Sequence, residues 1–245
     1  MLRFEFELRP LAEVARWGGD KPSLHWFGLT DGWYWISVRG REILRYREEA
    51  VSRWNLERPY PGYQVVRLWE DVIVLSWALL EPVPDDLIGF VDGTFPRREF
   101  PDEWSDAVDS ALDLQSDFNM YLGYLAKSPI LRCWRRNETI TLCQQISPED
   151  RDTFDGPPRL EIQVPAAEFY AAVEDFDSRL ITAMAERVAE CERNPLPAVD
   201  LDLTHLRREH TDRSQWLQRR LSQPRATDWD AVRAGAAEMS AWPLE

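Results

Sequence analysis

Leu2, Phe4, Phe6 and Leu8 alternate with Arg3, Glu5, Glu7 and Arg9. A period of two predicts a half-buried strand. Two further β-rich runs, 23–29 and 33–38, flank Thr30-Asp31-Gly32, and Asp-Gly is a strong turn signal. Arg39-Gly40 makes a second turn into a short run over 42–46. The first 46 residues therefore predict an antiparallel meander. Residues 48–62 carry Pro59, Pro61 and Gly62 and read as loop, with a short helical turn at their start.

The period then changes. Val65, Leu68, Trp69, Val72, Leu75 and Leu79 fall on one helical face and predict a helix over 64–80, ended by Pro82 and Pro84. Residues 82–101 read as loop with a turn at Asp92-Gly93. A longer helix is predicted from Pro101-Asp102 to Ala126, with Trp104, Val108, Leu112, Gln115, Phe118, Leu122 and Leu125 along one face. A hairpin follows, 130–136 and 139–146 about a turn at Asn137-Glu138, then a polar loop over 147–158 and a strand over 159–164. Pro165 opens a long helix to Arg193, whose stripe includes Phe169, Val173, Phe176, Leu180, Met184 and Val188. Asn194-Pro195-Leu196-Pro197 reads as a linker, followed by helices over 203–221 and 228–239.

Strands, helices, strands and helices in succession define an α+β fold: an N-terminal antiparallel β-meander and a second β-hairpin region packed with several long helices. The domain reading is one α+β domain over 1–195, with a helical extension over 196–245 packed on it. Residues 29–46 overlay 125–142 without gaps, with Glu42 over Glu138, so 1–95 and 96–195 also read as two related halves. The alternative is that any two hairpins look alike.

Composition narrows the class. The 245 residues carry 43 Asp+Glu against 29 Lys+Arg, a formal net charge of −14. That charge repels phosphate backbones and no basic stripe offsets it, so nucleic-acid binding is disfavoured. No apolar run reaches membrane-span length, and the alternating N-terminus is no signal peptide. The expected location is the cytoplasm. Cys133, Cys143 and Cys191 fit neither a metal spacing nor a paired framework. Cys133 and Cys143 are expected to oppose one another across the hairpin, as small core residues of a reducing compartment.

Catalytic signatures are missing. The chain holds no phosphate loop, Gly-x-Gly-x-x-Gly, Gly-x-Ser-x-Gly or His-Glu-x-x-His pattern. No cofactor, metal or catalytic residue is assigned. His205 and His210 are five apart, which splays their rings on a helix, whereas His205 and Glu209 are four apart and suit a local pair. His25 reads as a satisfied strand histidine. The tract Trp26-Phe27-Gly28-Leu29-Thr30-Asp31-Gly32-Trp33-Tyr34-Trp35 crowds large aromatics about a turn, with Trp33 and Trp35 on one face and Tyr34 on the other. It reads as hairpin core before ligand platform.

The feature most suggestive of a surface is acidic. Asp106, Asp109, Asp113 and Asp117 stack on one side of their helix, opposite its apolar stripe, with no Lys or Arg between Asp102 and Tyr124. Like charges at this spacing cost helix stability, which points to docking of a basic surface. The plainer alternative is a solvated face paired with arginines elsewhere.

Residues 2–11, the tract Leu24 to Trp35, Tyr124-Leu125-Ala126-Lys127-Ser128-Pro129-Ile130, and the helix Phe176-Asp177-x-x-Leu180-x-x-Ala183-Met184-x-x-Arg187-Val188 resemble a bacterial domain family of unknown function. The resemblance spans most of 1–190 and implies no activity. Acidic charge, twelve tryptophans and the lack of catalytic signatures are loosely similar to the immunity proteins of toxin systems. The functional expectation is a protein-binding inhibitor that occludes a basic toxin domain through Asp106, Asp109, Asp113 and Asp117. The alternative is a small-molecule-binding protein or hydrolytic enzyme with a carboxylate-lined pocket. Partner identity and oligomeric state stay open.

Overall fold

Strand β1 (Leu2–Leu8) pairs antiparallel with β2 (Asp31–Val38) in the register Leu2↔Val38 to Leu8↔Gly32. The alternation read from the sequence is realised. Leu2, Phe4, Tyr34, Ile36 and Val38 are buried on one face, while Glu5, Glu7, Trp33 and Trp35 occupy the other. The other edge of β2 is shared by β3 (Arg41–Ile43) and, after α1 (Glu48–Trp54), by β4 (Gly62–Gln64). The chain passes directly from β4 into α2 (Val65–Ala78). The computed structural model describes residues 1–17, 22–194, 199 and 201–245.

The remaining elements run from α3 (Ile88–Val91) and α4 (Asp106–Asp117) into a second antiparallel sheet, β5 (Asn119–Met120), β6 (Ile130–Arg136), β7 (Thr139–Gln145) and β8 (Arg159–Pro165), in that spatial order. Strand β8 feeds α5 (Ala166–Arg193) directly, as β4 feeds α2. Helices α6 (Leu203–Arg213), α7 (Trp216–Leu221) and α8 (Trp229–Ser240) complete the chain. The architecture is α+β, with the N-terminal meander in place. No helix among the described residues is long and apolar enough to cross a membrane.

Helix α5 lies across the inner face of the first sheet. Phe4 meets Phe169 edge-on and stacks on Phe176, with ring centroids 6.0 and 5.7 Å apart. Helix α2 is held from two sides: Trp69 stacks on Trp216 and donates its indole N–H to Asp177 at 2.9 Å. Arg135 at the end of β6 donates to the carbonyl of Leu80 at 3.0 Å, tying down the turn that follows α2. The C-terminal helices belong to the same core. Leu206, Leu217, Val232, Ala236 and Met239 are buried in it. Helices α4 and α8 approach so closely that a Cβ on Gly235 would lie 2.0 Å from the carbonyl oxygen of Ala107, which only glycine avoids.

Several local expectations are corrected. Residues 23–29 form no strand. The Gly28 N–H donates to His25 Nδ1 and the Thr30 hydroxyl to the Phe27 carbonyl, and these side-chain bonds close a tight turn that drives Trp26 into the core. Helix α1 is longer than one turn, and residues 88–91 are helical. Helix α4 is half its expected length. Ser105 at its start binds Glu238 instead of continuing the helix backwards, and at its end the Phe118 carbonyl is captured by the Cys133 N–H of β6. Trp104, Leu122 and Leu125 thus lie outside it. The expected helix over 203–221 is two, broken at Ser214, because Arg213 turns inward between the rings of Trp26 and Trp216 and pairs with Glu70 at 2.9 Å. Cys133 opposes Leu142, and Cys143 opposes Arg132, so the two thiols sit on opposite faces of the sheet. All three cysteines are free and buried. The gapless overlay of the two hairpins misplaces the second turn by two residues, since Arg39-Gly40 falls on Arg135-Arg136 and the turn is at Asn137-Glu138. The linker read over 194–197 lies, beyond Asn194, outside the described residues.

Candidate functional site

The two sheets meet along a seam. The Leu44 N–H donates to the buried Gln144 carboxamide, and Arg47 and Asp155 exchange backbone bonds across it with Thr153 and Arg45. At one end of this seam a cleft of about 640 Å³ opens. That is the size range of small-ligand sites. Its walls come from three separate stretches: Trp33 of β2, the segment from Tyr46 through α1 to Tyr63, and the loop after β5 that carries Tyr124 to Lys127.

Each wall has a local cause. Alternation in β2 turns Trp33 away from the core, and the Arg9 guanidinium lies 4.0 Å from its ring centroid. Asn55 ends α1 in the left-handed conformation at φ 49°, which swings the following segment back over the cleft. Tyr46 and Trp54 meet edge-on at 5.6 Å, and Tyr63 stacks on Tyr124 at 4.8 Å. Trp54 remains 38% exposed, so the aromatic surface faces outward. Arg9, Glu57 and Lys127 form the polar rim.

Behind the Tyr124 ring lies a buried polar group. The Tyr34 hydroxyl donates to the Tyr124 hydroxyl at 3.2 Å. Burial pushes both phenols well above their ordinary range. Asp71 of α2 is pushed up to about 7 by loss of solvent and then by Glu70, with Arg67 and the Tyr124 hydroxyl drawing it back down. Its Oδ2 is buried without a hydrogen-bond partner among the described residues. A carboxyl with this shift exchanges its proton near neutral pH, as groups at functional sites do.

The predicted acidic residues are elsewhere. Val108, Ala111 and Leu114 form the buried side of α4, so Asp106, Asp109 and Asp113 point outward as their spacing implies. Asp109 accepts the Trp104 indole N–H at 2.8 Å. Asp117 differs: it pairs at 2.9 Å with Arg225, which is only 5% exposed. His205 lies 3.8 Å from Glu209, while His210 accepts the Trp26 indole N–H on the other side of its helix. Among the described residues no group of three or more His, Cys, Asp and Glu is arranged to hold a metal ion. No sequence pattern marks Asp71 as a site residue, and Tyr124 stands out only within the stretch that resembles the family. The available signal was a carboxylate inside the apolar run Val65–Ala78, next to Glu70.

A family model described as a family of unknown function, DUF5984, matches residues 3–235, and the chain belongs to that family. No curated protein and no solved structure matches it.

Proposed function

We propose that this member of the family is a small-molecule-binding protein and that its ligand is a flat organic molecule lying between Trp33, Trp54, Tyr63 and Tyr124. The observation that carries the reading is the convergence of these aromatic side chains, from three distant segments, on one open cleft backed by Asp71. Aromatic faces supply contact area to a planar ligand, and the Arg9, Glu57 and Lys127 rim orients a polar end. Three unpaired cysteines suit a reducing compartment, so the cytoplasm is the proposed location. The test is tryptophan-fluorescence quenching and thermal shift against a metabolite panel. A saturable hit that Trp54→Ala and Tyr63→Ala both abolish, with unfolding midpoints near wild type, supports the reading. Hits indifferent to both substitutions overturn it.

A second reading, an inhibitor or immunity protein for a basic toxin domain, has its own support. Asp106, Asp109 and Asp113 are exposed and in no salt bridge among the described residues, in a chain of net charge −14. Such a face speeds association with a basic partner. Pull-down from host lysate at low and high salt tests it. One stoichiometric, salt-sensitive basic partner lost in the Asp106→Lys plus Asp113→Lys variant supports it, and binding unchanged by that variant removes these residues from the interface.

A further inference from the structure

A second cavity, of about 360 Å³, lies between α3, α4, β6 and the 95–100 strap, away from the aromatic cleft. Its lining is basic in a strongly acidic protein: Arg97, Arg98 and Arg132 all face it. None of the three is in a salt bridge among the described residues. Arg132 has only a 3.4 Å bond to the Gln145 carboxamide, and burial followed by the nearness of Arg159 pulls its guanidinium down from its ordinary range. Arg98 gives one N–H to the Trp242 carbonyl, but its Nε is buried without a partner. Asn119 Oδ1 is likewise buried and unpartnered. Asp92, the nearby carboxylate, is taken up by the backbone N–H and hydroxyl of Thr94, and Glu245 stands on the lining.

Arg132 is half-buried, and half-burying a guanidinium without an ion-pair partner carries a desolvation cost. The backbone is nevertheless shaped to admit it. Gly93 adopts φ +86°, and a Cβ there would lie 2.6 Å from Arg132 Nη1. Phe95 and Phe100 supply an apolar wall beside the three arginines. We propose that this cavity binds a small organic carboxylate with a flat apolar body, held by Arg97, Arg98 and Arg132. Guanidinium forks match the planar carboxylate through paired hydrogen bonds. The phenyl wall suits an apolar body and offers nothing to a free phosphate.

The experiment is isothermal titration of the whole chain with benzoate, phenylacetate and cinnamate, with benzamide as the neutral counterpart and inorganic phosphate as the competing anion. At least one carboxylate binds saturably, benzamide does not, and phosphate does not displace it. Arg132→Gln and the more exposed Arg97→Gln each weaken binding by about tenfold or more, while Trp54→Ala in the aromatic cleft leaves it unchanged. Arg132→Gln keeps or raises the unfolding midpoint, because it removes a charge that lacks a partner in the free protein. No saturation by any of the three at about 10 mM, equal binding of benzamide, tighter binding of phosphate, or indifference to both Arg variants overturns the proposal.

Discussion

The Tyr34 hydroxyl donates to the Tyr124 hydroxyl across 3.2 Å, joining the central strand of the first sheet to the loop between β5 and β6 of the second. Both rings are largely removed from solvent, so the Tyr34 hydroxyl relies on Tyr124 for its hydrogen bond, while the Tyr124 hydroxyl also acts on Asp71. Tyr34→Phe strands the Tyr124 oxygen and costs about 1 kcal/mol. In a double-mutant cycle with Tyr124→Phe, urea denaturation returns a coupling of the same order. Additive losses would show that the two hydroxyls are satisfied independently.

Asp71 makes stability depend on pH. Its carboxyl titrates at about 7 when folded against an ordinary 3.8, so the folded state binds the proton more tightly. Its stabilising contribution is complete below about pH 4 and is lost as pH rises through 7. Asp71→Asn gains on wild type over that window, with the gap widening by at most about 1.4 kcal/mol per pH unit. His210 works in the opposite sense. Burial lowers it from 6.5, so its contribution is lost as pH falls below that value. Thermal midpoints of wild type, Asp71→Asn and His210→Gln from pH 4 to 8 separate the two, and a constant gap between wild type and Asp71→Asn refutes the Asp71 assignment.

The four aspartates of α4 are unequal. Asp117→Asn leaves the nearly buried Arg225 with only Glu81 at 4.0 Å, and costs about 2 kcal/mol. Asp113→Asn, on the exposed side, changes stability by less than about 0.5 kcal/mol. Chemical denaturation of the two variants checks the ranking, and equal effects would contradict the pairing.

Gly235→Ala drives a methyl into the backbone of Ala107 and the side chain of Ala111. We expect a loss of about 2 kcal/mol or more. Hydrogen exchange localises the damage to α4 and α8, and a wild-type midpoint would mean that these helices separate freely.

Burial raises the Cys133 and Cys143 thiols above their ordinary range. The native protein therefore reacts with a thiol-specific disulfide reagent only at its opening rate, and mild oxidation forms no intramolecular Cys133–Cys143 bond, because the side chains leave opposite faces of the sheet. Mass spectrometry after oxidation reads the result directly.

Local pattern determined much of this protein. Alternation assigned β1 and set Trp33 and Trp35 opposite Tyr34 in β2, although Asp31-Gly32, read as a turn, lies inside that strand; turn chemistry placed the Arg39-Gly40 and Asn137-Glu138 hairpins, and helical periodicity found α2, α5 and α8 to within one or two residues. These features depend on neighbours in the chain, which the sequence displays. The failures share the opposite cause. The run 23–29 has strand composition but bends because Trp26 is needed in the core against Trp69 and His210. Helix α4 stops where β6 captures the Phe118 carbonyl, and the break after Arg213 follows from Glu70, 143 residues away. Both cavities are likewise tertiary. Trp33, Trp54 and Tyr124, or Arg97 and Arg132, carry no spacing that links them, since each set meets only when distant segments fold together. Spacing could place Asp106, Asp109, Asp113 and Asp117 on one helix, but only the packed structure set Asp117 apart, because a charge's environment is made by groups that sequence distance does not reveal.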